Sequence, residues 1–256
     1  MTGTVVHSRD AGGSGGPFRW HPTGRINEVL RSLLDLMMPV DCGGCGMPGP
    51  VWCPDCAGLL GAPRQVYPPC CAAGPPVYAL GAYRGRLREA LLAYKERGRR
   101  DLATPLGTAL AAALLRLRNL SPDCTEFLVP VPSRRAAAAR RGGQHVTLLA
   151  QRAGAALAGA GVAAAVAPAL RMASGVRDSV GLAAPARQAN LAGRVLLRRA
   201  GLPPVGTPVV LVDDVVTTGA TAAACAATLL RTGVEVRAIV VLAAASRHAS
   251  LSMSGK

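Results

Sequence analysis

The sequence predicts an open α/β domain with a mostly parallel sheet flanked by helices, preceded by a small cysteine-rich module. Three observations predict it. Val209-Val210-Leu211-Val212 is a run of four aliphatics, which suits a strand buried on both faces, as in a parallel sheet. Short apolar runs alternate with stretches of helical period from Val77 onward, the pattern of β-loop-α-β units. Hydrophobic residues make up 50% of the 256-residue chain but aromatics only 3%, so alanine and the aliphatics must form the core, which fits helices packed closely on a sheet. A chain of this length holds one ordinary domain plus a small module and has core enough to fold without disulfides.

Taken in order, residues 1–25 are rich in Gly, Ser and Thr and read as disordered. Ile26–Leu36 places Val29, Leu30, Leu33 and Leu34 on one helical face. With the Cys- and Gly-rich knot Asp41–Cys56 it forms the module at 26–62, and the Pro-rich 63–76 reads as a linker. The α/β domain spans 77–245, and 246–256 reads as a disordered tail. Within the domain we expect a strand at Tyr78–Tyr83, helices at Arg86–Arg97 and Asp101–Arg118, a strand at Glu126–Pro130 and a helix at Gln144–Ala158. The strand at Val209–Val212, a helix at Thr221–Arg231 and a strand at Val236–Leu242 complete it.

The charge is lopsided, with 29 basic residues against 14 acidic ones and a net +15. Such a surface attracts phosphates, nucleic acid or anionic membrane; a plain compositional bias toward arginine is the competing reading. The first residues lack an apolar run, so no signal peptide is expected. Of two long uncharged stretches, Gln65–Tyr83 carries four prolines and cannot be a continuous helix. Ala153–Leu170 is mostly Ala and Gly, too weakly apolar for a span. The expectation is a soluble, cytoplasmic chain whose eight cysteines are thiols or metal ligands.

Two segments carry chemistry. Cys42-Gly-Gly-Cys45 and Cys53-Pro-Asp-Cys56 give the spacing C-x2-C-x7-C-x2-C, two thiolate hairpins that can close a tetrahedral, structural Zn2+ site. Redox pairs or disulfides are the alternatives, disfavoured in a cytoplasmic setting. In VVLVDDVVTTGAT, a buried strand delivers Asp213 and Asp214, and the small-residue loop Thr217-Thr218-Gly219-Ala220-Thr221 then opens a helix. Ligands of open parallel sheets bind beyond the carboxyl ends of strands. A helix N-terminus with backbone N–H groups and hydroxyls is a phosphate seat, and Gly219 permits close approach of the backbone. The carboxylates suit the vicinal hydroxyls of a ribose, so the implied ligand is a sugar with a phosphate at one end and a diol at the other. The bland alternative is a capped helix with two solvated carboxylates, which is poor for charges pressed against a buried strand.

The segment Val209–Thr221 resembles the ribose-phosphate signature of the type I phosphoribosyltransferases. The resemblance implies that Asp213 and Asp214 hold the ribose hydroxyls and that Thr217, Thr218, Gly219, Ala220 and Thr221 cradle the 5-phosphate of 5-phosphoribosyl-1-pyrophosphate (PRPP). Cys42–Cys56, Tyr94-Lys95-Glu96-Arg97-Gly98, Val129-Pro130-Val131-Pro132, Arg140-Arg141-Gly142-Gly143, Asp178–Leu182 and Arg187–Asn190 are similar to the ComF (competence protein F-like) subfamily, over roughly Leu33 to Ala245. That family includes DNA-uptake proteins. The implied fold is a type I phosphoribosyltransferase core with a small N-terminal zinc ribbon. The implied chemistry is phosphoribosyl transfer with pyrophosphate release, with Mg2+ accompanying the diphosphate.

The same resemblance places a pyrophosphate loop after the strand at Glu126–Pro130, where the backbone N–H groups of Val131, Ser133 and Arg134 are candidates and Arg134 can neutralise charge. Arg141, flanked by glycines, is a candidate catalytic residue on a lid. Lys95 is the only lysine before the C-terminal residue, which makes a compact ammonium at that place a third candidate; an ordinary surface position is the alternative. His145 has no partner placed by the sequence and reads as structural. Arg84, Arg86, Arg88, Lys95, Arg97, Arg99 and Arg100 form a basic patch without an aromatic stacking platform. The rival to an enzyme is thus a non-enzymatic module that binds its ligand, or single-stranded DNA during uptake.

Overall fold

The structure is a computed structural model, and it describes residues 41–117, 125–133, 144–173 and 194–245. Strand β1 (Arg64–Val66), β2 (Val77–Ala82), helices α1 (Gly85–Glu96) and α2 (Ala103–Leu117), β3 (Glu126–Pro130), α3 (His145–Gly159), β4 (Ala164–Val166), β5 (Leu170–Met172), β6 (Val195–Leu197), β7 (Pro208–Val216), α4 (Ala220–Leu230) and β8 (Glu235–Ala244) follow in chain order. Six strands form one sheet in the order β1-β2-β8-β7-β3-β4, and β5 pairs with β6 in a separate ribbon. Every neighbour pair of the large sheet is parallel except β1 with β2. A mixed α/β fold with a mostly parallel sheet is therefore what these residues form.

The central strands read as they pack. Val209 to Val212 are all buried, odd and even positions feeding opposite faces of the sheet. On one face α1, α2 and α3 cover the sheet through Leu91, Leu106, Leu110, Leu114, Leu149 and Leu157. On the other, α4 packs with the β5–β6 ribbon around Leu211, Ile239, Cys225 and Leu229. The scarcity of aromatics shows in the close crossing of α2 and α3. A Cβ on Gly107 would lie 2.5 Å from the Cβ of Arg152, so only glycine fits there. At the start of β3, buried Glu126 is satisfied by Arg237 of β8 at 2.6 Å.

Two expectations change. The strand at Val209–Val212 is longer than its aliphatic run. The ten-residue β8 keeps offering partners, so the ladder continues through Asp213 opposite Val241 to Val216 opposite Ala244. The linker at 63–76 is also not a linker. Its Arg64–Val66 is an edge strand on β2, and Pro69–Cys71 forms a 3-10 turn against α4. Three-residue strands flanked by proline have too little alternation to be read.

The cysteine knot shares the main core. Val51, Trp52 and Leu60 pack against the α1–α3 cluster, and Arg99 donates to the carbonyl of Asp41 at 2.8 Å. The expected helix at Ile26–Leu36 and the terminal segments 1–25 and 246–256 lie outside the described residues. No helix among the described residues is long and apolar enough to cross a membrane.

Candidate functional site

The carboxyl edge of the sheet collects the expected residues. Strand β7 leaves through Thr217 and Thr218 to Gly219, whose φ of +79° belongs to the left-handed region that suits glycine, and α4 begins at Ala220. Among the described residues, the backbone N–H groups of Thr217, Thr218 and Gly219 have no backbone or side-chain acceptor. The loop's carbonyls are held from behind. Cys70 N–H donates to the Thr218 carbonyl at 3.0 Å, and the Cys71 thiol donates to the Gly219 carbonyl at 3.5 Å. Fixing the carbonyls on one side turns the amides to the other, which is how a loop becomes an anion seat. A Cβ on Gly219 would meet Cys71 Sγ at 2.6 Å and Pro68 Cβ at 2.9 Å. The buttress is thus fitted to a glycine and comes from the segment read as a linker. Burial, with the neighbouring Cys70, pushes the Cys71 thiol up to about 11, so it stays a donor.

The acidic pair is not a pair of equals. Asp214 is 2% exposed. Its Oδ2 accepts from His145 Nε2 at 3.0 Å and from Lys95 Nζ at 3.2 Å, while its Oδ1 accepts the Val215 N–H at 2.8 Å. Burial alone would raise its pKa, but the His145 hydrogen bond and the Lys95 charge more than offset this and hold it below the usual carboxylate range. Asp213 is half-buried, and its Oδ1 accepts the Asp214 N–H at 2.8 Å. Burial, then the charge of Asp214, push it well above the usual range. Tyr94 completes the cluster, donating its hydroxyl to the His145 carbonyl at 2.6 Å with its ring edge-on to the imidazole.

His145 is therefore what sequence reasoning missed. The signal available was weak: it stands directly after Gln144 at the first turn of α3, where a side chain reaches the carboxyl edge of the neighbouring strands. Lys95, at the last turn of α1, is brought to the same carboxylate, so it is not an ordinary surface lysine.

The exit of β3 is different. Val131 N–H donates to the Val212 carbonyl at 2.9 Å, so it continues the ladder. Ser133 N–H donates to Gln144 Oε1 at 3.1 Å, and the Ser133 hydroxyl donates to the same oxygen at 2.5 Å. Two of the three backbone donors expected for pyrophosphate are thus already engaged. Arg134, Arg141 and the segments Arg140–Gly143, Asp178–Leu182 and Arg187–Asn190 lie outside the described residues.

The four cysteines do come together. The sulfurs of Cys42, Cys45, Cys53 and Cys56 all lie within 4.8 Å of one another, and Cys45 Sγ to Cys53 Sγ is 3.7 Å. A tetrahedron with Zn–S bonds of about 2.3 Å has edges of ~3.8 Å, whereas a disulfide requires about 2.05 Å. Gly46, with φ +73°, turns the first hairpin back so that its N–H bonds the Cys42 carbonyl. Cys53 N–H points at Cys42 Sγ at 3.4 Å. Burial opposes ionisation of Cys42, but such N–H donors outweigh it and bring its pKa down to about 6. A closed set of four soft sulfur donors fits zinc and leaves no position open for a reacting molecule.

No known protein family matches the chain, and no curated protein resembles it in sequence. Solved structures similar to it include an adenine phosphoribosyltransferase, 17% identical with a TM-score of 0.37, matched over 75% of this chain and 90% of that one. Another is the adenine phosphoribosyltransferase of Saccharomyces cerevisiae complexed with D-2,5-dideoxy-2,5-imino-altritol 1,6-bisphosphate and adenine. It is 18% identical with a TM-score of 0.36, over 72% of this chain and 83% of that one. These are loose likenesses, and the site geometry stands without them.

Proposed function

We propose that this protein binds PRPP, or a closely related ribose 5-phosphate, at the exit of β7, and transfers the phosphoribosyl group with release of pyrophosphate. One observation carries the reading. A buttressed loop with unclaimed backbone amides opens α4 directly after a half-buried carboxylate, Asp213. The amides of Thr217, Thr218 and Gly219 and the positive end of α4 take the 5-phosphate. Asp213 accepts from ribose hydroxyls, and the Lys95 ammonium contributes charge beside it. Arg134 and Arg141 neutralise the diphosphate on the β3 side. Mg2+, when bound with the diphosphate, supplies further neutralisation of that leaving group; Asp213 is the carboxylate available to its hydration shell. The chain's own part is to hold the sugar and stabilise charge as the bond at C1 breaks. Zn2+ on Cys42, Cys45, Cys53 and Cys56 serves structure. The ComF-like assignment belongs to this proposal and rests on the quoted segments.

The second reading, a non-enzymatic module that holds DNA, has the exposed Arg84, Arg86, Arg88, Arg97 and Arg100 in its favour. Arg88 and Arg97 are engaged with Glu89. That leaves a sequence-independent electrostatic contact as the binding mode, with affinity falling steeply as salt rises.

The experiment is pyrophosphate release from PRPP with Mg2+ and a panel of bases and amines, read beside calorimetric binding of PRPP. Release above the level of the Asp213→Ala, Asp214→Ala double variant supports transfer. Tight binding with no such release moves the assignment to a ligand-binding module, and no binding of PRPP or ribose 5-phosphate sinks the phosphoribosyl reading. Elemental analysis is expected to find about one Zn2+ per chain, lost in Cys53→Ser.

A further inference from the structure

The buried cluster around Asp214 goes beyond the expectation that two adjacent carboxylates read one sugar. Three donors converge on Asp214: the His145 imidazole, the Lys95 ammonium and the Val215 amide. A carboxylate has about four lone-pair directions, and at 2% exposure Asp214 shows no face to a ligand. Asp213 is half-buried; its Oδ1 accepts the Asp214 amide, and its carboxyl also meets that of Asp214. The two residues are consecutive on one strand and their carboxyl groups still interact, so it is burial and the contacts with His145 and Lys95 that set Asp214 apart. Asp214 meets α1 and α3 through Lys95 and His145, while the charge of Asp213 bears on Cys225 of α4 as well as on Asp214.

We propose that the acidic pair divides its labour: Asp213 reads the ligand's hydroxyls, while Asp214, oriented by His145, is an internal counter-ion that positions the Lys95 ammonium at the edge of the site. This rests on the proposed phosphoribosyl site for the identity of the ligand, but not for the relay itself. His145 is a positioning residue in this scheme. Its ring fixes Asp214 Oδ2, and its own place is fixed by Tyr94 from α1. Lys95 sits in the last turn of α1, one residue beyond Tyr94, with its side chain 35% exposed. The carboxylate therefore holds the ammonium by one side and leaves it at the surface of the edge where an anionic ligand arrives. An arginine there would present a broad planar fork; a lysine presents a point charge.

The chain offers a direct readout, because its only lysines are Lys95 and Lys256. Acetic anhydride labelling of the full-length protein, followed by peptide mass spectrometry, measures Lys95 against Lys256 as an internal reference. An ammonium held on a buried carboxylate is a poor nucleophile, so Asp214→Asn should raise the Lys95 rate by about fivefold or more. His145→Ala should raise it by about two- to threefold, and His145→Gln, which keeps an N–H donor, should restore protection. Asp213→Asn should raise the basal rate less than Asp214→Asn does, because the direct ion pair with Lys95 belongs to Asp214. The ligand arm adds ribose 5-phosphate. It should protect Lys95 in the wild type and fail to do so in Asp213→Asn.

An unchanged Lys95 rate in folded Asp214→Asn overturns the relay, as does a His145→Gln variant no better protected than His145→Ala. Loss of ribose 5-phosphate binding in Asp214→Asn with full retention in Asp213→Asn reverses the division and overturns it too. No protection by ribose 5-phosphate in the wild type, with the substitutions behaving as expected, defeats the proposed ligand and leaves the relay standing.

Discussion

Strands β7 and β3 are neighbours, run parallel, and leave the same edge of the sheet, yet they end in opposite ways. At the β7 exit the carbonyls of Thr218 and Gly219 are held from behind by Cys70 and Cys71, and the loop amides have no acceptor among the described residues. At the β3 exit the amide and hydroxyl of Ser133 both close on the side chain of Gln144. The contrast teaches that a strand exit becomes an anion seat when something else satisfies its carbonyls. A loop that turns its donors onto a side chain of its own protein must release that side chain first. The Gln144 oxygen accepts two donors from Ser133, which the proposed diphosphate would have to win back.

The comparison is broken most severely at Gly219. Gly219→Val puts a β-branched residue at φ +79° and drives its Cβ into Cys71 and Pro68. A destabilisation of about 3 kcal/mol or more is expected from backbone strain and overpacking together, measured as the shift in urea midpoint at constant slope. Ala at the same place should be milder but of the same sign. A Gly219→Val protein as stable as the wild type would mean the buttress is not seated against the loop.

The acidic pair comes next. Asp214→Asn leaves the Lys95 charge without its carboxylate. About 2 kcal/mol of stability should be lost, below the 3–5 of a fully buried pair because the lysine side is a third exposed. Asp213→Asn should have the opposite sign and stabilise the free protein, since its carboxylate is pushed toward protonation in the fold. The pH dependence follows. Asp214, lowered on folding, contributes stability that is present above its unfolded value near pH 4 and is lost as pH falls through its still lower folded value. Asp213, raised on folding, contributes stability at low pH that is lost as pH rises through its folded value. Chemical denaturation of the two variants across pH should show these slopes with opposite signs.

The smallest effect belongs to the β3 exit. If the proposed diphosphate site lies at this exit, Gln144→Ala removes a side chain that competes for the Ser133 amide, and pyrophosphate affinity should rise by about 1 kcal/mol, the net worth of one hydrogen bond. Calorimetry with inorganic pyrophosphate and Mg2+ reads it. Weaker binding in Gln144→Ala would mean that Gln144 helps to hold the anion, and the contrast between the exits would be one of chemistry only.

Much of this edge was legible in the sequence, and the reasons are specific. The aliphatic run before Asp213 suits a strand buried on both faces, and it forms one. Glu126–Pro130 forms β3 as read. The cysteine spacing is itself a geometric statement, and the sulfurs converge accordingly. What stayed hidden depends on partners far apart in the chain. The Cys71–Gly219 contact spans 148 positions and the His145–Asp214 bond 69. Neither leaves a local periodicity, so a lone histidine read as filler and a proline-flanked strand as a tether. The engagement of Ser133 is shorter in range, but it depends on which way one glutamine turns.

The edge strand β1 bears on how the chain can be cut. Arg64–Val66 pairs with Arg64 opposite Ala79 and Val66 opposite Val77, and it is the outermost cover of β2. A fragment begun at Val77 would strip that cover and bare the main-chain groups of Val77–Ala82, a six-residue apolar strand in which Val77, Ala79 and Leu80 are buried. Uncovered edges of this kind recruit other strands. Such a fragment is accordingly a precursor of oligomers and precipitate, and a soluble excised α/β part must begin before Arg64.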